Sequence, residues 1–89
     1  MDKTIFESFE DYLEEADYPQ GKKKIMRSAV DLMSTKGYNG TSTLHIAEHA
    51  GLSQATLFKY FKTKVDLLTA ILHPVVPGLF GSFFEELLT

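Results

Sequence analysis

The sequence predicts an all-α fold: a three-helix helix-turn-helix module over residues 20–64, an acidic N-terminal helical extension before it over residues 1–19, and after it, over residues 65–89, a linker helix and the beginning of a helical C-terminal domain. Apolar residues recur at intervals of three and four in successive stretches, the period of a helix with one buried face. Hydroxyl residues stand ahead of the short helices, where N-termini need acceptors, and glycines stand where the chain must end a helix or turn.

With 89 residues, 44% of them hydrophobic and 24% charged, the chain has the proportions of one small globular domain, which excludes collagen, low-complexity tails and repeat arrays. A chain of this length buries a modest fraction of its surface, so marginal stability is expected unless a partner covers apolar area. The absence of cysteine removes disulfide and zinc–cysteine support. The first residues carry acids and no apolar run follows a basic start, so no secretory signal is readable and a cytoplasmic location is expected.

Ile5, Phe9, Tyr12, Leu13 and Ala16 share one helical face with acids on the others, and Tyr18-Pro19 closes that helix, because the residue before proline is biased away from helical geometry. A second helix, over about residues 22–36, places Ile25, Ala29, Leu32 and Met33 on one face and ends at Gly37, which accepts positive φ. Thr41, Ser42 and Thr43 offer cap hydroxyls to a short helix with the stripe Leu44, Ile46, Ala47 and Ala50. Gly51, Leu52 and Ser53 then supply a turn, a buried anchor and the cap of another short helix reaching about Tyr60. Two short helices across a glycine turn have the spacing of a helix-turn-helix, and Ala47 is small where such helices cross closely. Thr63 or its neighbour caps a further helix carrying Val65, Leu67, Leu68, Ile71 and Leu72.

From residue 67 to 84 no Asp, Glu, Lys or Arg occurs, which raises the question of a membrane span. His73-Pro74, Pro77-Gly78 and Gly81 interrupt the run and no lysine anchors its far end, so no membrane association is expected. The reading is a helix to His73, a break, and an apolar helix from about Gly78 carrying Leu79, Phe80, Phe83, Phe84, Leu87 and Leu88. So much apolar surface needs a cover, and a homodimer through residues 67–88 is expected.

The formal net charge of −3 conceals three blocks. Residues 1–20 hold one lysine against seven acids, a net of −6; residues 21–64 hold eight bases against two acids, a net of +6; residues 65–89 hold three acids and no base. A basic middle between acidic ends is the electrostatic footprint expected of a phosphate-binding face, although a solvated surface has the same composition. Lys22, Lys23 and Lys24 crowd a helix start, the unfavourable end of the helix dipole for cations, which invites a nearby polyanion.

Gly37-Tyr38-Asn39-Gly40-Thr41-Ser42-Thr43-Leu44-His45-Ile46-Ala47, followed by Ala50-Gly51-Leu52-Ser53-Gln54-Ala55-Thr56-Leu57-Phe58-Lys59-Tyr60-Phe61-Lys62-Thr63-Lys64, resembles the DNA-binding signature of the TetR family of bacterial transcriptional regulators. Glycine, small, cap and aromatic positions agree in register. The resemblance implies a repressor-like regulator whose third module helix enters DNA, joined by a fourth helix to a ligand-binding and dimerisation domain that is truncated here. A small-molecule inducer is then expected only of a longer protein. The chain departs from the family pattern at His45, where an acid is frequent, Thr43, where valine is usual, Ala55, where glycine is frequent, and Phe58, where tyrosine is usual.

For double-stranded DNA, base edges are read by short polar groups and the backbone is held by basic, aromatic and hydroxyl groups. Gln54 suits adenine N6/N7, Ala55 a thymine methyl, Thr56 either through its hydroxyl or methyl, and Lys59 a guanine or a phosphate. Phe58, Tyr60 and Lys64, with Thr41 and Ser42, are the expected backbone contacts, while Leu57 and Phe61 belong to the core. His45 and His49 have the i, i+4 spacing of metal ligands but lack a third partner, so no metal or other cofactor is expected. No nucleophile–base pair, phosphate loop or carboxylate dyad is visible, which argues against an enzyme. The competing reading is a protein-interaction module that docks through the acidic first helix and the aromatic C-terminal segment.

Overall fold

The computed structural model describes residues 5–73, which form five helices and no strand among them: α1 (Ile5–Glu15), α2 (Gln20–Lys36), α3 (Thr43–His49), α4 (Gln54–Tyr60) and α5 (Lys64–Leu72). The all-α reading is therefore met. The expected helix from about Gly78, and most of the surface assigned to a homodimer through residues 67–88, lie outside the described residues.

The axis of the fold is α2, against which α3, α4 and α5 all pack. Its 17 residues contain no proline, and Ile25, Met26, Ala29 and Leu32 are buried along one face. The helix begins at Gln20, earlier than the sequence pattern indicates, because Pro19 sits at the N-cap with φ −56°, an angle its ring already enforces. It ends at Gly37, whose φ of 78° and ψ of 167° fall in a region essentially confined to glycine.

Around α2 the other helices bury Phe9 and Leu13 from α1, Ile46 and Ala47 from α3, Leu57 from α4, and Leu67 and Ile71 from α5, with Phe61 from the connection between α4 and α5. Leu57 and Phe61 thus stand in the core as expected. A buried polar bond joins two of these elements: the Ser28 hydroxyl of α2, only 3% exposed, donates to the Ile46 carbonyl of α3 at 2.7 Å. α1 lies on the assembly through Phe9 and Leu13, through a 2.6 Å bond between the Tyr12 and Tyr18 hydroxyls, and through Arg27 Nε, which donates to both carboxylate oxygens of Glu10 at 3.1 and 3.0 Å. Ile5, also assigned to that apolar face, has its side chain outside the described set.

Three apolar positions depart from the expected stripes. Leu44 is 51% exposed, because it precedes the buried Ile46 by two residues and so lies about 200° around the helix from it. Val65 and Leu72 are also exposed, at 59% and 42%, since α5 turns its Leu67–Ile71 spacing of four toward α2. Leu67 and Ile71, counted in the expected dimer surface, are occupied within their own chain.

Candidate nucleic-acid interface

Local chemistry sets the angle between α3 and α4. Ser42 caps α3 by accepting from the His45 N–H at 3.0 Å, and Ser53 caps α4 by accepting from the Thr56 N–H at 3.1 Å. Between them Gly51 adopts φ 75°, the left-handed region that favours glycine, and the Leu52 N–H returns to the Ala47 carbonyl at 2.9 Å. Ala47 is fully buried, so the second helix crosses close to the first. Thr63 repeats the capping device at α5, accepting from the Asp66 N–H at 3.1 Å.

This frame leaves one side of α4 facing outward. Leu57 alone is buried in α4, while Ala55, Phe58 and Lys59 are exposed and Gln54, Thr56 and Tyr60 are half-buried. The expected base-reading residues Gln54, Ala55, Thr56 and Lys59 are therefore gathered on the single seven-residue element α4. Two of them are already bonded. Gln54 Nε2 donates to the Thr43 hydroxyl of α3 at 2.8 Å, and the Thr56 hydroxyl lies 2.9 Å from that of the cap Ser53.

The expected backbone contacts divide. Phe58 is 43% exposed, and Tyr60 packs partly on the core while Lys59 Nζ stands 5.7 Å from its ring centroid. Ser42 is exposed beside the start of α3. Thr41 is 1% exposed, and its hydroxyl donates to the Gly37 carbonyl at 2.8 Å, closing the turn between α2 and α3. Lys64 has a role that its position in the sequence does not reveal. Its ammonium donates to the Tyr38 carbonyl at 2.7 Å and the Thr41 carbonyl at 2.9 Å, and lies 4.1 Å from the Tyr38 ring centroid. One of its three donors remains for an outside partner.

The basic block is partitioned in the same way. Arg27 is paired with Glu10, Lys22 lies 3.9 Å from the Tyr18 ring centroid, and Lys23 is buried, whereas Lys24, Lys36, Lys59 and Lys62 are exposed. His49 faces Asp31 at 3.7 Å, and the described residues contain no cluster of three or more side chains able to hold a metal. An open groove of about 290 Å³ between α2 and α3 has walls that are already partnered: Arg27 with Glu10, His49 with Asp31, and Ser28 with Ile46. No helix among the described residues is long and apolar enough to cross a membrane.

Two short capped helices crossing at a small residue, with the second presenting a polar face, define a helix-turn-helix DNA-binding module. Residues 25–71, more than half of the chain, match the family described as bacterial regulatory proteins, tetR family. The chain belongs to this family and carries the DNA-binding region of a TetR-type transcriptional regulator, a region that binds and does not catalyse.

Among curated relatives, the chain is 46% identical over 50 residues to the uncharacterized HTH-type transcriptional regulator YvkB of Bacillus subtilis, covering 56% of this chain and 26% of that protein. It is 40% identical over 55 residues to the HTH-type transcriptional regulator RutR of Escherichia coli, covering 62% and 26%. To the fatty acid metabolism regulator protein of Bacillus subtilis it is 30% identical over 64 residues, covering 72% and 31%. The matched stretch thus spans about a quarter to a third of these relatives. No solved structure gives a significant match.

Proposed function

We propose that this chain reads an operator half-site in the major groove of double-stranded DNA with α4, and that it does so as a repressor. What supports this reading is α4 itself, a helix capped by Ser53 and packed through Leu57, which carries the half-buried Gln54 and Thr56 in its first turn and the exposed Ala55 and Lys59 on the side opposite Leu57. A side-chain amide, a methyl and a hydroxyl at the N-terminal end of one helix match the donor, acceptor and methyl pattern that distinguishes base pairs in the major groove. Tyr60, Ser42 and the remaining donor of Lys64 hold the flanking phosphates and Phe58 packs against the DNA backbone, with Lys59 able to serve either role.

The repressor role rests on likeness to the family, as does a cytoplasmic setting. A symmetric dimer would place two copies of α4 about 34–36 Å apart, one turn of DNA. Leu72 and the stretch that follows it remain for that contact, since Leu67 and Ile71 face inward. Response to a small-molecule inducer would belong to a longer protein.

Binding to duplex DNA across a salt series tests the reading. With roughly four phosphate contacts, log affinity should fall against log salt with a slope of about −0.9 per contact. Salt-independent affinity, or no binding at low salt, would contradict it.

A further inference from the structure

We infer that Thr43 is a specificity-determining residue that acts through Gln54, fixing the amide plane of the base reader before DNA arrives. This rests on the reading of α4 as the recognition helix. Gln54 Nε2 donates to Thr43 Oγ1 at 2.8 Å across the turn, so a residue of the first helix of the motif holds a side chain of the second.

The consequence follows from the inventory of donors. The amide nitrogen carries two hydrogens, one directed to Thr43, and the carbonyl oxygen is an acceptor on the other side of the same plane. One N–H and the oxygen stay available as a donor–acceptor pair. That pair complements adenine, which presents the N7 acceptor and the N6 donor, and mismatches guanine, whose N7 and O6 are both acceptors. An unheld glutamine can turn its NH₂ toward guanine; one anchored through Nε2 faces the O6 acceptor with its own oxygen. Holding the side chain also removes part of the rotamer entropy that binding would otherwise cost. Valine has nearly the shape of threonine but no oxygen to accept this bond.

The test uses the full chain and duplexes selected from a random-core pool, with affinity measured for adenine against guanine at the position that Gln54→Ala desensitises. Thr43→Val should reduce that preference about three- to tenfold, the scale of losing the one hydrogen bond that orients the amide, with the salt slope unchanged. Thr43→Ser, which keeps the acceptor, should retain the preference. Adding Thr43→Val to Gln54→Ala should change nothing further, because the effect passes through the glutamine. Thr43→Ala, measured beside these variants with thermal melts on each, separates loss of the oxygen from any disturbance by the valine.

If Gln54→Ala abolishes the preference while both Thr43→Val and Thr43→Ala leave it intact, the inference is overturned and the reading of α4 stands. If the valine effect persists in the Gln54→Ala background, Thr43 acts by another route and the inference is likewise overturned. If Gln54→Ala itself alters no base preference, the reading of Gln54 fails and the inference falls with it.

Discussion

Lys64 shows how one ammonium at the start of α5 can fix a distant turn. Its two carbonyl partners lie 26 and 23 residues earlier in the chain, so the loop between α2 and α3 is tied directly to α5. Hydrogen bonds to a charged group contribute about 1.5–3 kcal/mol each at most, so Lys64→Met should lower stability by roughly that amount in urea denaturation. Lys62→Ala, at an exposed position, should leave stability within about 0.5 kcal/mol and, if it meets a phosphate, flatten the salt slope by about 1. Ser28→Ala removes the bond from the buried serine hydroxyl to the Ile46 carbonyl and should cost about 1–3 kcal/mol, again read by denaturant. None of these long-range polar bonds was legible in the sequence. Ser28 carries no distinguishing pattern, Thr43 reads as a cap hydroxyl and Lys64 as a contact to the DNA backbone, and only the packed helices bring them their partners within the chain.

Capping, by contrast, was legible because it is local. Ser42, Ser53 and Thr63 each accept from a backbone N–H three residues ahead, and Gly37 and Gly51 take the positive φ that their positions after a helix suggest. Leu44 was misread because a helix of seven residues is too short for periodicity to separate its two faces. Gly51→Ala should therefore destabilise the α3–α4 turn by about 1–2 kcal/mol, seen as a lower melting temperature. The α1 contact carries a pH signature of its own. The Tyr18 hydroxyl bonded to Tyr12, reinforced by burial and by the neighbouring phenol's charge, raises the Tyr12 phenol above its ordinary value of 10.0. A raised value in the folded state means that the contribution is fully present below the unfolded value and is lost as pH rises through the folded one. Thermal melts by circular dichroism should thus fall more steeply above pH 10 for the wild type than for Tyr12→Phe.

Across the whole molecule, charge is arranged by the fold and not merely by sequence order. α1 turns its apolar face inward through Phe9 and Leu13 and leaves Glu14 and Glu15 exposed, Glu10 partly neutralises the basic block by pairing with Arg27, and Lys59 and Lys62 stay exposed on and just beyond α4. The family signature was readable because its glycines, caps and small residues are short-range features; which of its polar side chains remain free for a ligand depends on contacts that only the folded chain makes. The central claim is that α4 and its flanks meet DNA while α1 does not. It is tested most directly by titrating the ¹⁵N-labelled chain with duplex DNA and following amide and side-chain shifts by NMR. The largest changes are expected at Gln54, Ala55, Thr56, Phe58 and Lys59, including the Gln54 side-chain amide, with Glu14 and Glu15 unmoved. Changes concentrated on α1, with the α4 signals at rest, would contradict it.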